Sequence, residues 1–168
     1  MKIGILSDSH GHLERLGAAV AAFQTAGAEV IVHCGDVGSL ECLEAMAAAA
    51  VPCYVVTGNI DRPYVEALAD TAAAHGLCFH EQMITIPLGG GRTLAAVHGH
   101  DEALLKQLVA GGQYAYVCHG HTHKVADTRV GCVRVINPGA LHDCHPHTVA
   151  VLNTETDDLQ VIPVSLKA

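Results

Sequence analysis

The sequence lacks three features that would place it in common protein classes: a long apolar run, paired cysteines and a basic surface. Within 168 residues, no apolar stretch reaches the ~20 residues that a bilayer-spanning helix needs, because glycine and polar residues interrupt every run. Residues 1–6 lead directly into the polar segment 7–10, which leaves no room for a secretory leader. We therefore expect a cytoplasmic protein with no membrane contact.

The cysteines form no recognisable framework. They are seven in number, scattered along the chain, and include no Cys-x-x-Cys pair. Most lie among apolar residues in predicted strands, which favours reduced, buried thiols over disulfides. A structural zinc site is not expected either.

Positive charge is scarce and histidine is abundant. Nine Lys and Arg stand against seventeen Asp and Glu, which gives a formal net charge of −8. Proteins that bind a nucleic-acid backbone normally carry a basic stripe, so extended nucleic acid is not an expected partner. Thirteen residues are histidine, eight of them between His98 and His147. Without a basic stripe, any phosphate is expected to be bound locally. Histidine is a common metal ligand and proton carrier, so the histidine-rich part of the chain is where such a site is sought.

The chain length suits one domain, which we assign to residues 1–168. Short β-branched runs alternate with Ala/Leu-rich segments of helical spacing, which predicts an α/β sandwich with a largely parallel first sheet. Ser39 and Asp101 are predicted helix N-caps, and Leu13 and Leu40 are predicted to begin apolar helix faces. The predicted strands are 2–7, 30–33, 53–57, 83–86, 93–97, 116–118, 125–129, 133–136, 148–152 and 159–164.

A potential metal ligand follows each predicted inner strand directly. These residues are Asp8, His10, Asp36, Asn59, His98, His121 and His123. Ligands of open α/β sheets bind outside the carboxyl ends of the strands, so these side chains are predicted to converge on one edge. Glycines adjoin several of them and permit tight turns and close packing around an ion.

The residue types indicate the chemistry. Two carboxylates, one amide oxygen and four imidazoles form a mixed oxygen and nitrogen set, which suits manganese, iron or zinc better than magnesium. We expect two divalent transition-metal ions, with manganese favoured and iron, zinc or nickel as alternatives, and we assign Asp36 as the bridge between them. Ions about 3.5 to 4 Å apart would supply a bridging hydroxide for in-line attack at phosphorus.

Six blocks of the sequence, in order, resemble the calcineurin-like metallophosphoesterases. They are Asp8-Ser9-His10, Gly35-Asp36, Gly58-Asn59-Ile60-Asp61, His98-Gly99-His100, Gly120-His121-Thr122-His123 and Asn137-Pro138-Gly139-Ala140. The chain is most similar to the small single-domain bacterial and archaeal phosphodiesterase branch. The resemblance implies a four-layer αββα sandwich. It also implies that Asp8, His10 and His123 hold the first ion, that Asn59, His98 and His121 hold the second, and that Asp36 bridges.

One position departs from the family pattern. Many members have a histidine after the Gly-Asn pair, where it protonates the leaving oxygen or steadies the phosphate, and here that position is Ile60. Isoleucine can do neither, so His100 and His119 become the candidates for the general acid. Either could instead only support a ligand or pack beside it.

Three other polar elements have two interpretations each. His33 is predicted to hydrogen-bond near Asp36 rather than to bind metal. Arg62 could contact a substrate phosphate or form a surface salt bridge. The segment 142–147, which looks like a further metal site, is predicted to be a simple loop, with lining of the site mouth as the alternative.

Hydrolysis of a small phosphodiester is the favoured function. A phosphomonoesterase of the same fold is the near alternative, because the same metals serve both. A non-catalytic metal-binding scaffold, similar to the retromer subunit that shares this fold, is the alternative from another class. A nuclease acting on polymers is disfavoured by charge. Exposed apolar surface would be compatible with a homo-oligomer.

Overall fold

Two β-sheets pack face to face in a computed structural model that describes residues 1–166. In chain order, the strands are β1 (Lys2–Leu6), β2 (Val30–Cys34), β3 (Cys53–Val56), β4 (Cys78–His80), β5 (Met83–Gly89), β6 (Arg92–Val97), β7 (Tyr116–Cys118), β8 (Ala126–Val130), β9 (Val133–Asn137), β10 (Thr148–Asn153) and β11 (Asp158–Pro163). The helices are α1 (Leu13–Ala26), α2 (Leu40–Ala47), α3 (Val65–Ala74) and α4 (Glu102–Ala110), and a 3₁₀ turn spans Arg62–Tyr64.

The first sheet has the strand order β11-β10-β1-β2-β3-β4. Strands β1 to β4 run parallel, β10 pairs antiparallel with β1, and β11 pairs antiparallel with β10. The second sheet has the order β5-β6-β7-β9-β8. Its three inner strands are parallel, and β5 and β8 pair antiparallel at the edges. The first sheet is therefore largely parallel, as predicted.

Three apolar layers hold the elements together. Alternate residues of β1, such as Ile3 and Ile5, pack against the second sheet, whereas Leu6 packs towards the helices. Helices α1 to α3 cover the outer face of the first sheet, with Phe23 fully buried. Helix α4 covers the second sheet through Leu108. This arrangement confirms the four-layer αββα sandwich.

The helix ends follow local chemistry. The side chain of Ser39 accepts a hydrogen bond from the backbone N–H of Cys42, and Asp101 accepts one from the N–H of Leu104. Both predicted N-caps are confirmed, and each satisfies a backbone donor that the first helical turn leaves unpaired. Helix α1 ends at Gly27, whose φ of 73° is left-handed.

Two details of the predicted helices and strands were wrong. Leu13 and Leu40 are 45% and 37% exposed. Each opens its helix, and the first fully buried positions are Leu16 in α1 and Cys42 in α2. Strand β4 was not predicted, because it is a three-residue edge strand whose side chains are mostly exposed and show no apolar alternation. No helix among residues 1–166 has the length and hydropathy to cross a bilayer.

Candidate metal centre

All seven candidate ligands lie in loops that directly follow strands. Those after β1, β2 and β3 belong to the first sheet, and those after β6 and β7 belong to the second. The structure brings the loops together at one end of the sandwich, where the parallel strands of both sheets end. Both sheets therefore contribute to the site.

The first cluster of possible ligand atoms contains Asp8, His10 and His123, whose ligand atoms lie within 4.8 Å of one another. Oδ1 of Asp8 lies 3.2 Å from Nε2 of His123. Oδ1 of Asp8 and Nε2 of His10 are buried, and neither has a hydrogen-bond partner among the described residues. Because an unpaired buried polar atom is costly, these orphaned atoms fit a bound cation.

The second cluster contains Asp8, Asp36 and His98. Nε2 of His98 lies 3.3 Å from Oδ2 of Asp36 and 3.2 Å from Oδ1 of Asn59. Its other nitrogen, Nδ1, lies 2.8 Å from the backbone oxygen of Cys34. A carbonyl oxygen only accepts, so Nδ1 carries a proton, and the lone pair of neutral His98 faces two further acceptors. Such a group requires a cation or an extra proton between its members.

Asp36 belongs to the second cluster and also approaches the first. Its Oδ2 atom lies 3.3 Å from Nε2 of His10 and 3.3 Å from Nε2 of His98. Asp8 also belongs to both clusters, although its Oδ1 atom lies 4.0 Å from His98 Nε2. The exposed ring of His121 packs edge-on against His98, with centroids 5.1 Å apart, but lies outside both clusters.

Charge and burial shift the ionisation of these groups in opposite directions. Burial alone would raise the pKa of Asp36, but the hydrogen bond and charge of His98 outweigh it and lower that pKa. Burial would lower the pKa of His98, but Asp36 outweighs it and raises that pKa. The pKa of His10 is lowered, mainly by burial. The carboxylate form of Asp36 is therefore strongly favoured.

Five of the seven candidate ligands have left-handed backbone. They are Asp8 (φ 55°), His10 (φ 45°), Asp36 (φ 56°), His121 (φ 66°) and His123 (φ 57°). Only three other non-glycine residues in the described chain share this conformation. It is unfavourable for residues with a Cβ and clusters at functional sites, so its concentration here marks the site independently of residue type.

Two glycines allow the carboxylates their positions. A Cβ on Gly58 would fall inside the carboxylate of Asp36, and one on Gly120 would meet Ser7 Oγ and lie 2.5 Å from Oδ2 of Asp8. Close approach, rather than turn geometry alone, therefore explains why glycine stands next to the candidate ligands.

Asp61 is a supporting residue that sequence reasoning did not identify. It is fully buried, and its Oδ2 atom accepts hydrogen bonds from the N–H groups of Val37 (3.0 Å) and Gly58 (2.8 Å). Its Oδ1 atom accepts one from Gly38 (2.9 Å). One carboxylate thus joins the loops that present Asp36 and Asn59. Its position at the end of the Gly58–Asp61 block is the sequence feature that could have identified it.

His33 makes hydrogen bonds below the site, as expected. Its Nε2 atom lies 2.8 Å from Oγ of Ser9, and its Nδ1 atom accepts from the N–H of Gly35 at 3.2 Å. Burial lowers the pKa of His33 to about 3. The ring therefore stays neutral and joins the loops after β1 and β2.

The two candidate general acids flank the second cluster. The ring of His100 lies 5.4 Å from that of His98, and its Nδ1 atom is buried with no partner among the described residues. Nδ1 of His119 lies 3.1 Å from the backbone oxygen of Gly120, and burial lowers the pKa of both rings.

The segment 142–147 is more than a simple loop. His142 stacks on His10 with centroids 4.2 Å apart, and its Nδ1 atom lies 2.9 Å from Nε2 of His12. Of the two interpretations, lining of the site mouth describes His142. Cys144 and His147 approach within 3.6 Å but belong to neither cluster of possible ligands within residues 1–166.

Comparison with known proteins agrees with this geometry. Residues 1–157 match the calcineurin-like phosphoesterase superfamily domain. A phosphodiesterase of Methanocaldococcus jannaschii is 28% identical over 167 residues, which cover 96% of this chain and 98% of that protein. The solved structure of an archaeal phosphodiesterase has a TM-score of 0.84 at 29% identity, covering 98% of this chain and 100% of that one.

More distant structures share the fold alone. A Vps29 variant from Entamoeba histolytica has a TM-score of 0.63 at 18% identity, covering 98% of this chain and 100% of that one. The match to the superfamily domain, in contrast, spans nearly the whole sequence and contains every candidate ligand. This protein belongs to the calcineurin-like phosphoesterase superfamily.

Proposed function

We propose that this protein is a metal-dependent phosphodiesterase that hydrolyses small phosphodiesters. The observation that carries the proposal is the group of facing acceptors, Oδ2 of Asp36, Nε2 of His98 and Oδ1 of Asn59, which have no donor between them while the His98 ring is neutral. The superfamily assignment and the archaeal phosphodiesterase support it. A site of this kind attracts cations first and, through them, a phosphate group.

The donor set fits two divalent ions. Asp8, His10 and His123 would hold one ion, Asn59, His98 and His121 the other, and Asp36 would contact both. Four imidazoles with oxygen ligands favour manganese, with iron, zinc or nickel as alternatives. When bound, such ions would lower the pKa of a shared water and stabilise the charged oxygens around phosphorus.

The protein's own residues would orient this chemistry. The hydrogen bond from His98 Nδ1 to the Cys34 carbonyl fixes the ring so that Nε2 faces Asp36. Such a bond holds a metal-binding imidazole in one tautomer. The three hydrogen bonds to Asp61 keep the loops of Asp36 and Asn59 in register. The ligands are therefore positioned before any substrate binds.

Hydrolysis needs a proton for the leaving alcohol. The oxygen of water forms a bond to phosphorus, the bond from phosphorus to one ester oxygen breaks, and that oxygen leaves as an alcohol after gaining a proton. Ile60 cannot supply the proton, so we assign it to His100 or His119. If H100A and H119A both leave the turnover of an ester with a poor leaving group unchanged, neither residue is the donor.

Small substrates suit the charge of the chain. With a net charge of −8 and no cluster of basic residues in the sequence, a long polyanion would be repelled outside the centre. We propose a cytoplasmic location, which the seven free thiols support.

The decisive experiment joins metal analysis to a panel of phosphomonoesters and phosphodiesters, with D36N as the test variant. The exposed carboxylate Asp158 provides the matched control D158N. We expect bound transition metal and diester hydrolysis that D36N abolishes and D158N retains. Faster turnover of monoesters would favour the phosphomonoesterase. Absence of both metal and activity would favour the scaffold, and activity surviving in D36N would refute the shared role of Asp36.

A further inference from the structure

Among residues 1–166, Arg62 has no acidic partner. The lysine and arginine side chains that form ion pairs are Lys106 with Glu102, Arg129 with Asp157, and Arg134 with Asp127 and Asp157. For Arg62, no carboxylate within residues 1–166 lies inside 4.0 Å. Its Nη2 atom instead lies 3.4 Å from Nε2 of His100. The surface salt bridge that the sequence left open is therefore not formed, and in an acidic chain this guanidinium keeps its full attraction for an anion.

The position of Arg62 is fixed by the site itself. It follows Asp61, whose buried carboxylate is bound by three backbone N–H groups of the neighbouring loops. Its contact, His100, lies two residues after His98 and packs against that ring. The guanidinium therefore contacts the ring of His100 and is separated from the cluster of Asp36 and His98 by that one ring.

The pairing with His100 uses little of the capacity of Arg62. A guanidinium has five N–H donors and no acceptor, so Nε2 of His100 accepts and the other donors remain available. Arginine binds phosphate and carboxylate groups through two parallel N–H bonds. The exposed side chain of Arg62 can make such a pair without leaving His100.

Two cavities adjoin this arginine. Arg62, Gln82 and His100 line both, and their volumes are about 200 and 320 Å³. The smaller cavity also reaches His98 and therefore the centre, and it contains one carboxylate, Asp101, whose Oδ1 atom is turned to the N–H of Leu104 but which remains charged. The larger cavity contains Glu81, whose exposed carboxylate opposes an anion there. Each cavity thus contains one carboxylate, and the smaller one is the better place for a group carried by the substrate because only it is lined by a candidate metal ligand, His98.

We propose that Arg62, with His100 and Gln82, forms a subsite for a second anionic group carried by the substrate. This inference rests on the proposed function: the phosphodiester lies at the centre, and one of its substituents extends into the smaller cavity. Arg62 determines specificity there, and the preferred substrates are phosphodiesters that carry a further phosphate or carboxylate. Nucleotide-like esters with an additional phosphate belong to this class.

The test compares two esters with the same scissile bond. They are thymidine 5′-(p-nitrophenyl phosphate) and its 3′-phosphorylated analogue, and the measurement is the ratio of their kcat/KM values with metal-loaded protein. We expect the wild type to prefer the phosphorylated ester about tenfold, the size of one charge-assisted contact. R62Q should remove most of this preference, and R62K should retain part of it. Any effect of R62Q on the chemistry divides out of the ratio.

The control is R129Q, which removes the same charge at the opposite end of the strands, where Arg129 pairs with Asp157. It should keep the wild-type ratio. No preference in the wild type, a preference that survives in R62Q, or equal loss in R129Q would overturn the proposal.

A binding measurement separates this inference from the proposed function. Calorimetric titration with thymidine 3′,5′-bisphosphate and thymidine 5′-monophosphate requires no turnover. We expect tighter binding of the bisphosphate, reduced about tenfold in R62Q. Hydrolysis of neither ester would contradict the phosphodiesterase, whereas equal affinities for the two nucleotides would contradict the subsite.

Discussion

His98 faces Asp36 with a nitrogen that has no hydrogen to offer while the ring is neutral. Its Nδ1 atom is bound to the carbonyl of Cys34 at 2.8 Å, and its Nε2 atom lies 3.3 Å from Oδ2 of Asp36. Without a metal ion, the contact is favourable only when the ring takes a second proton, in agreement with its raised pKa. The two facing atoms therefore form a binding site for a cation, either a proton or a metal ion. The stability of the folded protein should depend on which of the two is bound.

Metal removal should destabilise the fold. A ligand at 100 times its Kd stabilises the native state by about 2.7 kcal/mol, which corresponds to a Tm increase of about 5 to 10 °C in a chain of this size. Differential scanning calorimetry of manganese-loaded and chelator-treated protein measures this Tm difference. In D36N the Tm difference between metal-loaded and chelator-treated protein should be much smaller, whereas D158N should show the same difference as the wild type. Equal Tm values with and without metal would contradict the proposed ion sites.

Alanine at Gly58 should displace Asp36 and lower activity at least about tenfold, since a misplaced ligand costs catalysis steeply. The reason is the overlap of the new Cβ with the Asp36 carboxylate. Gly17 provides the matched control, because it lies in α1 and its added Cβ would contact nothing within 4 Å. G17A should raise the free energy of unfolding by about 0.5 to 1 kcal/mol and leave turnover intact. Full activity in G58A would show that the carboxylate can move without loss.

Replacement of Asp61 by asparagine should reduce both stability and turnover. An amide cannot accept all three backbone hydrogen bonds, and loss of a bond to a buried charged group costs about 2 kcal/mol. Denaturant unfolding and kcat report the two effects. The exposed helical residue Asp70 gives the control D70N, which should change neither. A D61N protein with native stability would show that this carboxylate does not hold the loops.

Acid should weaken a cluster at the other end of the sandwich. Arg134 forms two hydrogen bonds of 2.8 Å to Asp127 and one of 2.9 Å to Asp157. The hydrogen bonds from Arg134 lower the pKa of Asp127 below its usual range. A carboxylate with a lowered folded-state pKa stabilises the fold above its unfolded pKa near ~4, and the contribution is lost as pH falls through the folded value.

The measurement is the free energy of unfolding between pH 7 and pH 3. D127N should lower the free energy at neutral pH and lose less of it on acidification than the wild type. D158N, which alters an exposed carboxylate outside this cluster, should follow the wild-type pH dependence. Parallel curves for D127N and the wild type would show that Asp127 does not contribute in this way.

Local signals in the sequence predicted much of the fold. β-Branched runs bounded by glycine or proline predicted most strands, and Ser39 and Asp101 predicted helix starts, because each feature depends on neighbouring residues. The edge strand β4 was missed because its three residues gain their structure from pairing with β3. The exposure of Leu13 and Leu40 depends on how far the sheet extends beneath each helix start, which periodicity alone does not contain.

The same distinction applies to the site. The order of polar residues after strands predicted which side chains meet, because parallel strands end at a common edge. The hydrogen bonds of Asp61 and the stacking of His142 on His10 join distant parts of the chain, and no local pattern encodes either. The roles of the seven candidate ligands stay predictions until the metal is measured.

The division of the candidate ligands between two sheets makes the centre sensitive to how those sheets are aligned. Asp8 and His10 are carried by one sheet and His123 by the other, yet their ligand atoms must stay within a few ångströms. A substitution in the apolar layer between Ile5 and Ile136 could shift one sheet slightly and still leave a folded molecule. Activity should therefore respond to sliding of the two halves well before global unfolding does.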